Sequence, residues 1–158
     1  MTIQICLLAA SVALGVCATG IDVEVARPRL PAEPVVLMED CEFNGCRDAI
    51  YAKSLPGRGG YVRDVLIRNV KIGKCADAPV KLSLLYKKTP PNAPHVPDFS
   101  GFRIEDVEID KGSPHPIVVE GVSHGPIRNV DFRNVRDASG RKPRVTHAKG
   151  VTFDGKVL

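Results

Sequence analysis

A four-residue pattern returns four times along this chain and constrains its fold more than any other feature. An apolar residue, a charged residue, Asp or Asn, and a small apolar residue follow one another at Met38-Glu39-Asp40-Cys41, Ile67-Arg68-Asn69-Val70, Ile104-Glu105-Asp106-Val107 and Phe132-Arg133-Asn134-Val135. The last positions, 41, 70, 107 and 135, are 29, 37 and 28 residues apart, and flanks such as VRDVLIRNVKI and GFRIEDVEI alternate apolar with polar residues. Alternation of period two is the pattern of a strand with one buried face. Second apolar runs lie between the copies, RDAIYAK, APVKLSLLY and HPIVVEG, so each repeat carries at least two strands before the pattern returns.

A unit of this size cannot bury its apolar face alone, so successive units must stack and share one interior. The expected fold is therefore all-β, a right-handed parallel β-helix of about four coils. An antiparallel β-sandwich stays open as the alternative, because many short strands separated by turn signals fit it too. In the β-helix the Asp or Asn of each motif sits at a bend, where a short polar side chain bonds nearby backbone and tolerates unusual backbone angles. Composition agrees: 158 residues suffice for one domain, and the absence of Trp with 13 Pro and 14 Gly favours short segments over a large helical core.

The N-terminus reads differently. Residues 5–18, ICLLAASVALGVCA, carry no charge and are too short for a bilayer span of about 20 residues, so residues 1–18 are expected to be a secretory signal. Val16 and Ala18 supply small residues before the cleavage site, although Lys and Arg are missing near the start. A buried or interfacial N-terminal segment is the competing reading. Residues 19–34, with Pro28, Pro31 and Pro34, read as a Pro-rich arm, and residues 35–158 as the partial β-helix. The second long Pro-rich stretch, residues 87–100, reads as a loop projecting from one coil.

Signal cleavage would leave Cys41, Cys46 and Cys75, an odd number, of which Cys41 and Cys46 could pair in an oxidising compartment. Metal-ligand spacing is absent and the four His are scattered, so neither metal nor cofactor is expected. The net charge of +4 suits a polyanionic ligand, though it is common in proteins that bind none.

The stretch CEFNGCRDAIYAKSLPGRGGYVRDVLIRNVKI, residues 41–72, resembles the C-terminal half of family 28 glycoside hydrolases, the polygalacturonases and their relatives. In that family an Arg-Ile-Lys signature is followed by a Gly-rich turn and a strand of the next coil. Here Tyr51-Ala52-Lys53 stands at the signature and Gly57-Arg58-Gly59-Gly60 at the turn, so the Lys matches and the Arg does not. The likeness runs on through Tyr86, the Pro-rich loop, FRIEDVEI and PIVVEGVSHGPIRNVDFRNV, and covers about residues 35–157.

The resemblance implies hydrolysis of α-1,4-linked galacturonan with inversion, which uses one carboxyl as acid and another as base about 6.5–9.5 Å apart. The family's Asn-Thr-Asp motif, Asp-Asp pair and Gly-His-Gly motif do not occur upstream of Lys53, so no catalytic residue is assigned. Glu39-Asp40 and Glu105-Asp106 are expected to point to opposite faces of their strands and so not to act jointly. His124 reads as a turn residue.

Three substrate-binding residues are carried over. Lys53 matches the family Lys that pairs with a uronate carboxylate, and competes with an exposed strand Lys. Tyr86 matches a Tyr near the substrate, or packs under the Pro-rich loop. Arg58, between glycines, either binds an anionic sugar or marks a tight turn. The expected function is polygalacturonase-like, in a truncated or degenerate chain inactive by itself. The alternative is a non-catalytic carbohydrate-binding or surface β-helix protein. The expected location is secreted or periplasmic, and the expected partner is an acidic polysaccharide such as polygalacturonate. Neither nucleic acid nor, after signal cleavage, a membrane is expected as a partner. Self-association through an exposed β-helix end is a further expectation.

Overall fold

The structure, a computed structural model, describes residues 3–5, 21–23, 36–87 and 93–158, and these contain strands and turns but no helix. The expected signal and Pro-rich arm lie outside the described residues apart from two short strands, β1 (Ile3–Ile5) and β2 (Ile21–Val23). The remaining strands are β3 (Val36–Phe43), β4 (Ile50–Lys53), β5 (Tyr61–Ile72), β6 (Val80–Ser83), β7 (Asp98–Ile109), β8 (Val118–Glu120), β9 (Ile127–Asp137), β10 (Arg144–Thr146), β11 (Ala148–Phe153) and β12 (Lys156–Val157).

They form two six-stranded sheets, one ordered β10-β8-β6-β4-β1-β2 and the other β12-β11-β9-β7-β5-β3. From β3 to β11 the chain passes between the sheets at every step, and each strand pairs in parallel with the strand two places on. Among the described residues antiparallel strand pairing is confined to β1 with β2 and β4, and to β11 with β12. This mostly parallel, two-sheet arrangement is consistent with a β-helix-like fold, and it is not the antiparallel sandwich that stood as the alternative.

The repeat motif sets the columns of the core. Met38, Ile67, Ile104, Phe132 and Phe153 stand in register across the second sheet, and so do Cys41, Val70, Val107 and Val135. Phe102 and Phe132 are each at most 1% exposed, and Phe132 stacks on Phe153 with ring centroids 4.6 Å apart.

The inward positions do not keep a strict period of two. In β5 the residues that join the core cluster, Val62, Val65, Ile67, Val70 and Ile72, are spaced 3, 2, 3, 2, and Phe99, Phe102, Ile104, Val107 and Ile109 of β7 repeat that spacing. A residue in the left-handed region supplies each extra step, and one column of these holds the motif residues Asp40 (φ 55°), Asn69 (51°), Asp106 (53°) and Asn134 (49°), next to which lies the hairpin turn Asp154-Gly155 (45° and 76°) between β11 and β12. Only small polar residues and glycine adopt such angles at low cost. Acceptor and donor alternate: Asn69 Nδ2 donates to Asp40 Oδ1, Asn134 Nδ2 donates to Asp106 Oδ1 at 2.6 Å, and Asn134 N donates to Asp154 Oδ1 at 2.7 Å.

A second left-handed column comprises Asp64 (φ 54°), Gly101 (71°), Asn129 (54°) and Gly150 (64°). Each glycine lies against the side chain of the preceding member. A Cβ on Gly101 would come within 3.1 Å of Asp64 Oδ1, and one on Gly150 within 3.1 Å of Asn129 Oδ1.

The cysteines are arranged otherwise than the Cys41 with Cys46 pairing considered from sequence. Cys46 and Cys75 form an isolated parallel bridge with their sulfurs 3.2 Å apart, whereas Cys41 Sγ donates to Glu39 O at 3.2 Å. Chain stacking brings residues 29 apart into register, and Cys46 and Cys75 have that separation.

Candidate functional site

The outer face of β4 and β6 carries the most concentrated set of side chains that the sequence singled out. Within Ile50–Lys53 alternation sends Ile50 and Ala52 into the core and leaves Tyr51 and Lys53 half-buried on the outside. Parallel register sets Tyr51 beside Lys81 and Lys53 beside Ser83. The chain then turns so that Tyr86 N donates to Ser54 O at 3.4 Å, which returns Tyr86 to the end of β4.

Lys53 Nζ lies 4.5 Å from the centroid of the Tyr86 ring and 5.1 Å from that of Tyr51. Lys81 Nζ lies 5.3 Å from the Tyr51 centroid, and Lys87 Nζ 5.5 Å from that of Tyr86. At these distances an ammonium is attracted to the negative face of the ring. Burial, reinforced by the carboxylates of Asp48 and Glu120, pushes the Tyr51 phenol up to about 12, so it is a neutral hydrogen-bonding group at ordinary pH. Two aromatic faces and the ammonium groups between and beside them can stack on an apolar ring face and attract a carboxylate together.

The carboxylates around this platform are engaged. Asp77 accepts from Lys81 Nζ at 3.2 Å and has His115 Nε2 at 3.5 Å, while Glu120 accepts from Ser83 Oγ at 2.7 Å with Arg144 at 3.5 Å. Asp48 is buried and accepts from the Ala78 amide at 3.4 Å. Burial pushes the Asp48 carboxyl up. Burial acts on Asp77 in the same sense, but its hydrogen bond and attraction to Lys81 outweigh it and hold its carboxyl down. Neither Asp was singled out from sequence. The signal that would have found them is the repeated Cys-x-Asp-Ala of Cys46-Arg47-Asp48-Ala49 and Cys75-Ala76-Asp77-Ala78.

Of the three carried-over residues the structure brings Lys53 and Tyr86 together and adds Tyr51 and Lys81. Arg58 is exposed on a turn whose glycines Gly57, Gly59 and Gly60 all have positive φ, at 95°, 61° and 77°. Gly59 N donates to His95 O at 2.6 Å, pinning this turn to the described part of the Pro-rich loop. Among the described residues no ion pair or ring contact joins Arg58 to the platform. His124 is also a tether, with Nε2 3.3 Å from Ala93 O.

The acidic pairs depart from the expectation that they face opposite ways. Glu39 and Asp40 are both exposed, because the left-handed angle at Asp40 interrupts the alternation. Both are occupied on the second sheet, Glu39 by Arg68 Nε at 2.8 Å and Asp40 by Asn69. Asp106 likewise holds Asn134, and Glu105 has Arg133 at 3.6 Å. Comparison of the chain with protein-family models, with curated proteins and with solved structures gave no match.

Proposed function

We propose that the chain is a right-handed parallel β-helix of about four coils, of the pectinase type, that binds an acidic polysaccharide such as polygalacturonate without cleaving it. The observation that carries this reading is the position of Lys53 Nζ between the rings of Tyr51 and Tyr86 on an outward sheet face. A uronate residue offers the complement, an apolar ring face for stacking and a carboxylate for the ammonium. The engagement of Asp77 and Glu120 in ion pairs supports binding over hydrolysis, since an acid and a base must both be free to exchange protons with substrate. The proposal includes export, which would place the protein where such polymers are met.

Retention on immobilised polygalacturonate tests this reading. The unaltered chain should be retained at low salt and released by salt, and neutral dextran and duplex DNA should retain it less. Lys53→Ala should lower the affinity about tenfold, which corresponds to about 1.4 kcal/mol. Equal retention on all three polymers, or unchanged binding by Lys53→Ala, would remove the platform from the account.

A second reading, hydrolysis by the chain itself, is favoured by one observation. Asp48 and Asp77 lie on neighbouring turns, and their environments push their carboxyls in opposite directions, the pattern expected of an acid and base pair. Release of reducing ends that Asp48→Asn abolishes would select it.

A further inference from the structure

Cys46 and Cys75 occupy directly paired positions on consecutive turns of the chain, just ahead of β4 and β6. Partners across a parallel pair have Cα atoms about 4.8 Å apart, within the range of about 4.4–6.8 Å that a disulfide spans. Their sulfurs already stand 3.2 Å apart, closer than two uncommitted sulfur atoms need to be. We infer that Cys46 and Cys75 form an oxidisable dithiol whose disulfide staples two successive turns of the chain ahead of the strands that carry Tyr51 and Lys81.

Selectivity follows from the surroundings. Hydrogen bonding from Cys46 is the largest cause that brings the Cys75 thiol down to about 7, while the same contact raises that of Cys46, so the pair readily gives up one proton. Cys41 is unlike Cys75, since burial and the Asp40 carboxylate push its thiol up. Cys75, itself 1% exposed, lies at the wall of an open groove of about 440 Å³ that Lys74, Lys111 and Arg141 also line. Cations there attract an anionic oxidant.

With a small-molecule disulfide as oxidant the chemistry balances. One cysteine thiolate attacks the small disulfide, forming a mixed disulfide and expelling one small thiolate. The second cysteine, as thiolate, attacks the protein sulfur of that mixed disulfide and expels the other. The protein loses two protons and two electrons, and one small disulfide becomes two small thiols.

The test uses the unaltered full chain, exposed to oxidised glutathione under native conditions, quenched with iodoacetamide and mapped by peptide mass. The expected product is a linked pair of peptides containing Cys46 and Cys75, with Cys41 alkylated. Its melting temperature should exceed that of the reduced chain by about 5–10 °C, as expected for a closed loop of this length. Cys41→Ser should leave the link intact, and Cys75→Ser should leave Cys46 as a mixed disulfide. Recovery of Cys46 and Cys75 as separate alkylated or glutathionylated residues would overturn the inference, as would a link from Cys46 to Cys41. The map of the unaltered chain decides the matter even where a variant fails to fold.

Discussion

At the residue scale the left-handed positions explain why Asp and Asn recur. At φ near 50° most side chains cost about 1–2 kcal/mol, whereas Asn is tolerated. In one column the carboxylate of Asp106 and the amide of Asn134 also form a donor and acceptor pair, at 2.6 Å. Asn134→Ala should therefore destabilise the protein by about 2 kcal/mol, combining the backbone cost with one lost hydrogen bond, and Asn134→Gly by about half of that. Urea unfolding of the two variants checks it, and equal losses would show that the backbone angle contributes nothing. This column was legible in the sequence at positions 40, 69, 106 and 134 because one motif marks all four. The second column was not, since Asp64, Gly101, Asn129 and Gly150 share no residue type, only a backbone angle. Asp154, which accepts from Asn134 N, was missed because it belongs to the hairpin turn between β11 and β12 and not to the motif.

At the element scale, strands β5, β7 and β9 are tied to one another through exposed and half-exposed charges as well as through their ladders. Asp98 accepts from Arg63 Nε at 2.7 Å and from Arg128 at 2.7 Å, linking β7 to both neighbours. Burial acts to raise its carboxyl, but the two arginines outweigh burial and hold it down. A carboxyl lowered in the folded state contributes stability that is present above its unfolded value of about 3.9 and lost as pH falls through the folded value. Acid titration followed by circular dichroism should show the unaltered chain losing stability in that range. Asp98→Asn should flatten this limb while being less stable at pH 7, and an unchanged acid limb would show that the pair contributes little. The strands themselves were readable from alternating apolar residues. Their 3, 2, 3, 2 spacing was not, because the phase shift comes from φ angles, and for the same reason Glu39 and Asp40 emerge on one side.

At the scale of the whole molecule, sequence repeats of 29, 37 and 28 residues became parallel pairings between strands two places apart. The candidate site was only partly legible. A family signature pointed to Lys53 and Tyr86, but their meeting depends on the turn after Ser83, and the addition of Lys81 depends on strand register, which a signature does not encode. Among the described residues β3 ends its sheet with a partner on one side only and carries the exposed Leu37. An open edge of this kind invites pairing with a second copy. The molar mass from light scattering should therefore rise with concentration, and a monomer that persists at high concentration would rule out that association.

The most direct test of the central claim follows reducing-end release from polygalacturonate and binding to it in one sample, for the unaltered chain and for Lys53→Ala. The account predicts binding that Lys53→Ala weakens about tenfold, with no reducing ends released by either protein. Reducing-end release abolished by Lys53→Ala would contradict it and turn attention to Asp48 and Asp77, and the absence of both binding and release would leave the platform without this ligand.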